Sequence, residues 1–131
     1  MILIDSNVIL GALNPQDSLH QIARAAIQQI EEKNEKMVLT NFVLSECITV
    51  EQYKRGKEKA IKLSEYLLNY NQVEVLHVAE VDFLKALSLF RKQNSNLSFI
   101  DCTLLQLAIE NKWSLLTFDK ALEKEYLEKR K

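Results

Sequence analysis

The sequence contains few of the residues that interrupt or cross-link a chain: two glycines, one proline and two cysteines among 131 residues. So little glycine and proline argues against long flexible linkers. We therefore expect a single domain over residues 1–131, long enough to bury a sizeable core. No apolar run approaches the roughly 20 residues that span a membrane, and no basic segment precedes a hydrophobic one. We expect neither a membrane segment nor a signal peptide.

The two cysteines, Cys47 and Cys102, are too few and too far apart for a disulfide framework or a paired-cysteine zinc site. Each lies among apolar residues, where cysteine usually behaves as a small hydrophobe. A reducing cytoplasm is the simplest location for such a chain. The two histidines carry no metal-site pattern either. We expect His20 on the exposed side of a helix and His77 at a strand end, both in structural or surface roles.

The net charge of −1 does not indicate nucleic-acid binding, although local patches of positive charge matter more than the net charge of the chain. The densest group of basic residues, called here the 54–62 basic cluster, would contact a nucleic-acid backbone or form a solvated helix face. The terminal segment "EKRK", residues 128–131, is second. The cluster consists of Lys54, Arg55, Lys57, Lys59 and Lys62.

Short apolar segments alternate along the chain with segments of helical periodicity, a pattern typical of α/β proteins. We predict a three-layer sandwich with a mostly parallel central sheet of four to five short strands and helices on both faces. The predicted strands are residues 1–5, 37–40, 73–78 and 113–118. The predicted helices are residues 19–30, 42–54, 57–70, 79–91, 98–111 and 119–130.

Some details of the helices are predicted as well. We expect Asp17 or Ser18 to cap the first helix and Asn41 to cap the second. In the third helix, Ile61, Leu67 and Leu68 are expected to face inward.

Four acidic residues stand apart from the charged, surface-like runs. Asp5 ends the first predicted strand and Asp119 follows the last, so both reach the rim where open α/β sheets bind ligands. Glu46 and Asp101 share the faces of their helices with apolar residues three and four positions away. We expect these four carboxylates to converge on one pocket.

Structural roles are also available to these acids. Ser98-x-x-Asp101 matches a capping box, Asp119 can cap the last helix, and Glu46 can reach solvent from the edge of its apolar stripe. A capping carboxylate can still offer an oxygen to a ligand, so the structural and functional interpretations both stay open.

Clustered carboxylates need a positive partner. Two unit charges about 4 Å apart repel by roughly 4 kcal/mol at an effective dielectric constant of 20. Apart from Lys120 beside Asp119, no lysine or arginine adjoins any of the four in sequence. Oxygen ligands without histidine or cysteine suit Mg²⁺ or Mn²⁺ better than zinc. The sequence therefore predicts a site for a hard divalent metal.

The segments that carry the acids resemble the PIN domain family. "LIDSNVIL" contains Asp5, "NFVLSE" contains Glu46, "LSFIDCTLLQLA" contains Asp101 and "LLTFDKAL" contains Asp119. Their order and spacing agree with the family along essentially the whole chain. "DSN" stands where "DTN" is commoner, a change that keeps the hydroxyl group.

The resemblance implies a PIN-like fold and a Mg²⁺-dependent endoribonuclease similar to the VapC toxins of VapBC toxin–antitoxin pairs. The four acids would be its catalytic and metal-binding residues, supported by Asn7 and Thr117. It also implies an RNA substrate, a homodimer, and an antitoxin protein that lays a peptide across the active-site groove.

Two other functions stay open. The first is a PIN-like module that binds a partner without catalysis. The second is a phosphatase of the haloacid dehalogenase type, which also begins with a strand followed by Asp. That class requires a second Asp two residues later, where this sequence has Asn7.

Overall fold

The computed structural model describes all 131 residues. Its four strands are β1 (Ile2–Ile4), β2 (Met37–Thr40), β3 (Val73–Leu76) and β4 (Ser114–Leu116). They form one sheet in the order β3-β2-β1-β4, and every neighbouring pair is parallel. The predicted α/β class and parallel sheet are confirmed, with four strands.

Seven helices flank the sheet, and none is long and apolar enough to cross a membrane. Six of them match predicted helices to within a few residues. The helices are α1 (Ser6–Leu13), α2 (His20–Glu32), α3 (Asn41–Arg55), α4 (Lys57–Asn69), α5 (Glu80–Lys92), α6 (Phe99–Asn111) and α7 (Lys120–Lys129).

Strand β1 lies inside the sheet, between β2 and β4. Leu3 and Ile4 are completely buried, although successive side chains of a strand point to opposite faces of the sheet. Both faces of β1 are therefore covered. This is why the strand shows a continuous apolar run instead of an alternating pattern.

The strand order reverses next to β1. The chain runs outward from β1 through β2 to β3, and then returns to place β4 on the other side of β1. In open parallel sheets a crevice forms at such a reversal, beyond the carboxyl ends of the two strands. The backbone N–H of Asp5 donates to Leu116 O at 3.0 Å, which joins the ends of β1 and β4.

Helix α1 was not predicted. Five of its eight residues are buried, so its sequence carries apolar residues on several sides and lacks an amphipathic period. The helix was therefore not recognisable from its sequence pattern. It begins directly after Asp5.

Two predicted caps were wrong. Leu19 precedes α2 without a side-chain cap, and Asp17 Oδ1 instead accepts from Leu19 N at 2.8 Å. Thr40 caps α3. Asn41 is the first residue of that helix, and its Oδ1 accepts from Val78 N at 2.9 Å. The amide of Asn41 therefore ties α3 to the segment after β3.

The inward face of α4 was only partly predicted. Leu67 is buried, but Ile61 and Leu68 are 46% and 60% exposed. Ala60, Leu63 and Leu67 make the buried stripe at helical spacing. Ile61 and Leu68 lie next to that stripe on the solvent side.

Candidate functional site at the ends of β1 and β4

Asp5 lies at the centre of a hydrogen-bonded group in the crevice. It is 5% exposed and precedes α1 as its N-cap residue. Its Oδ1 accepts from Ser6 N at 2.7 Å, and its Oδ2 accepts from the Thr117 hydroxyl at 2.7 Å. Both carboxylate oxygens are therefore held in fixed positions.

Thr117 connects Asp5 to the segment after β4. Its Oγ1 accepts from Asp119 N at 3.0 Å and lies 3.5 Å from Asn7 Nδ2. Asn7 Oδ1 accepts from Phe118 N at 3.1 Å. Asn7 and Thr117 thus lock residues 117–119 onto the start of α1.

Asp119 caps α7, as its structural interpretation predicted. Its Oδ1 accepts from Leu122 N at 3.1 Å. Its second carboxylate oxygen has no hydrogen-bond donor in the protein. Capping therefore fixes this side chain while leaving one oxygen free for a ligand.

Glu46 is half-buried on α3, and Ser6 links it to Asp5. The Ser6 hydroxyl donates to Glu46 Oε1 while the Ser6 backbone N–H donates to Asp5. Sequence reasoning did not assign Ser6 to the site. The signal was present, because the preserved hydroxyl in "DSN" lies between two polar site candidates.

Asp101 forms the predicted capping box at the start of α6. Its Oδ2 accepts from Ser98 N at 3.1 Å, and Ser98 Oγ accepts from Asp101 N at 3.0 Å. No hydrogen bond joins Asp101 to the other three acids. Its contact with them is electrostatic.

The four carboxylates act on one another through their charges. Burial raises the pKa of Asp5, hydrogen bonds from Thr117 and Ser6 lower it, and the charges of Asp101 and Glu46 raise it. Burial also raises the pKa of Asp101, and the charges of Asp119 and Glu46 add to that increase. No cationic side chain contributes to either shift. The crevice is therefore a desolvated acidic site without an internal counter-ion.

In a comparison with protein families, the sequence profile of the PIN domain family matches residues 2–125. The chain belongs to the PIN domain family. This membership also displaces the phosphatase alternative, and the amide of Asn7 serves to hold Phe118. A search of curated proteins finds no match for this PIN protein.

Several solved structures share the fold of this PIN domain. VapC20 of Mycobacterium tuberculosis, described as a sarcin-ricin loop cleaving toxin, is 19% identical with a TM-score of 0.82, covering 95% of this chain and 94% of VapC20. VapBC2 of Rickettsia felis, bound to a promoter DNA fragment, is 15% identical with a TM-score of 0.71, covering 95% and 92%. FitAcB of Neisseria gonorrhoeae is 18% identical with a TM-score of 0.68, covering 96% and 93%.

The donor chemistry of the acidic crevice fits a hard divalent cation, but the side chains do not form a closed ligand set. No three acidic, histidine or cysteine side chains are close enough together to hold a metal ion as they stand. Mutual repulsion keeps like carboxylates apart. Glu46, Asp101 and Asp119 each keep one oxygen free of protein donors, so carboxylate oxygens are available as ligands.

The cysteines and histidines of this PIN domain take no part in the acidic crevice. Cys47 is fully buried, and burial, followed by the charges of Glu46, Asp5 and Glu51, raises its thiol pKa to about 12. It stays a neutral thiol, as expected of a small buried hydrophobe. His20 was predicted to be exposed but is half-buried, with Nδ1 2.8 Å from Gly11 O. His77 is exposed directly after β3.

The 54–62 basic cluster lies at the junction of α3 and α4. Its first member, Lys54, lies two helical turns, or about 12 Å along the helix axis, beyond Glu46. Arg55 is engaged within the protein. Its Nε lies 3.1 Å from Glu51 Oε1, and its Nη1 donates to Leu13 O at 3.3 Å. The lysines of the cluster are exposed. Arg55 thus has a structural role. Lys62 lies 3.6 Å from Glu58 Oε1, which leaves Lys54, Lys57 and Lys59 free to meet a ligand.

Proposed function

We propose that this PIN domain hydrolyses RNA phosphodiester bonds with the help of Mg²⁺ or Mn²⁺, and that it is the VapC-type toxin of a VapBC pair. One observation carries the proposal. Burial raises the pKa values of Asp5 and Asp101, the charges of neighbouring acids of the set raise them further, and no cationic side chain contributes to either shift. Neighbouring carboxylates of this kind, of which Asp5 is buried and the other three are half-buried, gain most from a divalent cation.

The proposal assigns metal binding to four residues and positioning roles to three others. Asp5, Glu46, Asp101 and Asp119 would hold the metal through their carboxylate oxygens. Thr117 and Ser6 fix Asp5 by donating to it, and Asn7 fixes the segment that carries Thr117 and Asp119. When bound, a divalent metal supplies an activated water and stabilises charge on the phosphate and the leaving oxygen.

The proposed partners follow from the family and from the structural neighbours. VapC20 is described as a toxin that cleaves the sarcin-ricin loop, and VapBC2 and FitAB are described as bound to DNA fragments. By analogy, this chain would cleave RNA in the cytoplasm, bind an antitoxin protein and form a homodimer. Its exposed apolar side chains on α5, such as Val81 and Leu84, suit a contact between protein surfaces.

A second candidate is a PIN module that binds a partner without catalysis. The observation that favours it is the absence of three side chains close enough to hold a metal ion. Against it stands the complete set of acids, each fixed by its own hydrogen bonds. Asp5, which is 5% exposed, would without such a role be buried at a cost that its two hydrogen bonds offset only in part.

RNA cleavage distinguishes the two candidates. Purified protein is incubated with single-stranded RNA in Mg²⁺ or in EDTA, in parallel with the Asp5→Asn variant. We expect cleavage only for the wild type in Mg²⁺. The control is Glu123→Gln, which removes an exposed acid from α7 and should cleave like the wild type. Equal cleavage in every reaction would indicate a contaminating nuclease, and no cleavage in any would favour the binding module.

A further inference from the structure

An open cleft lies beside the acidic crevice, with a volume of about 630 Å³. This is within the range of roughly 300–1,000 Å³ that small ligands occupy. Its walls are mainly apolar and carry no lysine or arginine. Phe42, Phe83 and Phe99 line it together with Glu46 and Thr49. We call this feature the phenylalanine cleft.

The rings of the phenylalanine cleft hold one another in place. Phe83 packs edge-to-face on Phe99, with ring centroids 5.0 Å apart, and on Phe42 at 6.2 Å. Phe90 supports Phe99 from outside the cleft at 6.0 Å. Phe83 nevertheless stays 38% exposed. A fixed, partly exposed aromatic ring is preorganised for a flat ligand, because little side-chain entropy is lost on binding.

The cleft and the acidic crevice share a wall. Glu46 belongs to both, and Phe99 and Ile100, which also line the cleft, directly precede Asp101 in the first turn of α6. A ligand with its phosphate at the carboxylates therefore places its neighbouring group against Phe83 and Phe99. Thr49 also lines the cleft, and its hydroxyl has no protein hydrogen-bond partner.

We propose that the phenylalanine cleft stacks an unpaired nucleobase of the RNA beside the phosphate that is cleaved, with Phe83 as the central stacking residue. This proposal rests on the proposed ribonuclease function. The occupant is a base and not a phosphate, because the walls offer neutral aromatic rings and one carboxylate and no cation. Single-stranded RNA is commonly bound by stacking its splayed-out bases on aromatic side chains.

The test uses a short single-stranded oligouridylate that carries one 2-aminopurine, and a matched oligomer with an abasic sugar at that position. Binding is followed in Ca²⁺ without Mg²⁺ or Mn²⁺, so that a divalent ion can bridge the phosphate and the carboxylates while the Mg²⁺-dependent cleavage is absent. Quenching of the 2-aminopurine fluorescence reports binding of the first oligomer, and competition reports binding of the second. Loss of one base–aromatic stack weakens binding by about 5- to 150-fold. We expect Phe83→Ala and the abasic oligomer each to weaken binding at least tenfold.

Two further variants separate stacking from general damage. Phe83→Trp keeps an aromatic face and should retain both quenching and affinity. Leu68→Ala removes a 60% exposed apolar residue of α4 that does not line the cleft, and it should bind like the wild type. In the Mg²⁺ cleavage assay, Phe83→Ala should raise KM about tenfold with little change in kcat.

Equal binding of both oligomers by the wild type and by Phe83→Ala would overturn the proposal. If Phe83→Ala changed the protein from dimer to monomer in sedimentation without affecting RNA binding, the stacking proposal would be overturned in favour of a contact between two copies of the chain. The two proposals fail separately. Base-dependent binding without Mg²⁺-dependent cleavage refutes only the nuclease, and cleavage that ignores Phe83 refutes only the stacking.

Discussion

Replacing Thr117 by valine tests whether this buried hydroxyl holds the acidic crevice together. Thr117 is 5% exposed, and valine has nearly the same shape. The change removes the 2.7 Å bond to Asp5 Oδ2 and leaves Asp119 N without the acceptor it has at 3.0 Å. It therefore removes polar partners and leaves the packing of the crevice almost unchanged.

The magnitude follows from these two bonds. A hydrogen bond to a charged group contributes about 1.5–3 kcal/mol, and a donor left without a partner costs about 1–3 kcal/mol. Because the surroundings relax in part, we expect Thr117→Val to lower the free energy of unfolding by about 2–4 kcal/mol. The variant should also raise the pKa of Asp5 further, since the Thr117 bond is one of the two that lower it.

Urea denaturation measures the free energy of unfolding, with Thr103→Val as the matched control. Thr103 is equally buried, but its hydroxyl donates to Ile100 O within its own helix, so its loss leaves no donor without a partner. We expect that control to lose about 1 kcal/mol or less. The reasoning is refuted if Thr117→Val costs no more than Thr103→Val.

Three smaller predictions concern single positions. Asp101 has a raised pKa in the folded protein, so the stability of the metal-free wild type relative to Asp101→Asn should be greatest below pH 3.8 and fall as the pH rises through the folded pKa. Urea titrations at several pH values should show that the difference in the free energy of unfolding between the two proteins falls as the pH rises. A difference that grows with pH would contradict the raised pKa. Ser98→Ala should lower the free energy of unfolding by about 1 kcal/mol because α6 loses its N-cap, and thermal melts that match the wild type would contradict the cap. Gly56 has φ of 97° with open space around it, so Gly56→Ala should cost about 1–2 kcal/mol through backbone strain alone, whereas an unchanged melting temperature would show that the turn relaxes.

The parts of the fold that the sequence predicted are those with a strong local signal. The apolar strands and the amphipathic α2 carry such a signal, and so does the Ser98 capping box. Helix α1 was missed because burial on most sides removes the period that marks a helix. Asn41 was misassigned because its partner, Val78, is distant in sequence. Such long-range hydrogen bonds leave no local pattern.

In the candidate site, too, the features with a local sequence signal were predicted and those that depend on long-range contacts were not. The sequence identified Asp5 and Asp119 from their positions after strands, and the structure joins them through Thr117. The link that Ser6 makes between Asp5 and Glu46 was not predicted, because it depends on how α1 packs against α3. The roles of the four acids in catalysis and metal binding stay predictions.

The central claim is that the acidic crevice binds a divalent metal, and Mn²⁺ binding measured by calorimetry tests it most directly. We predict one or two bound ions for the wild type, at least tenfold weaker binding for Asp101→Asn, and unchanged binding for Glu123→Gln. Mn²⁺ binding would also release protons near the raised pKa values of Asp5 and Asp101. Binding that is absent from the wild type, or equal in wild type and Asp101→Asn, would contradict the account.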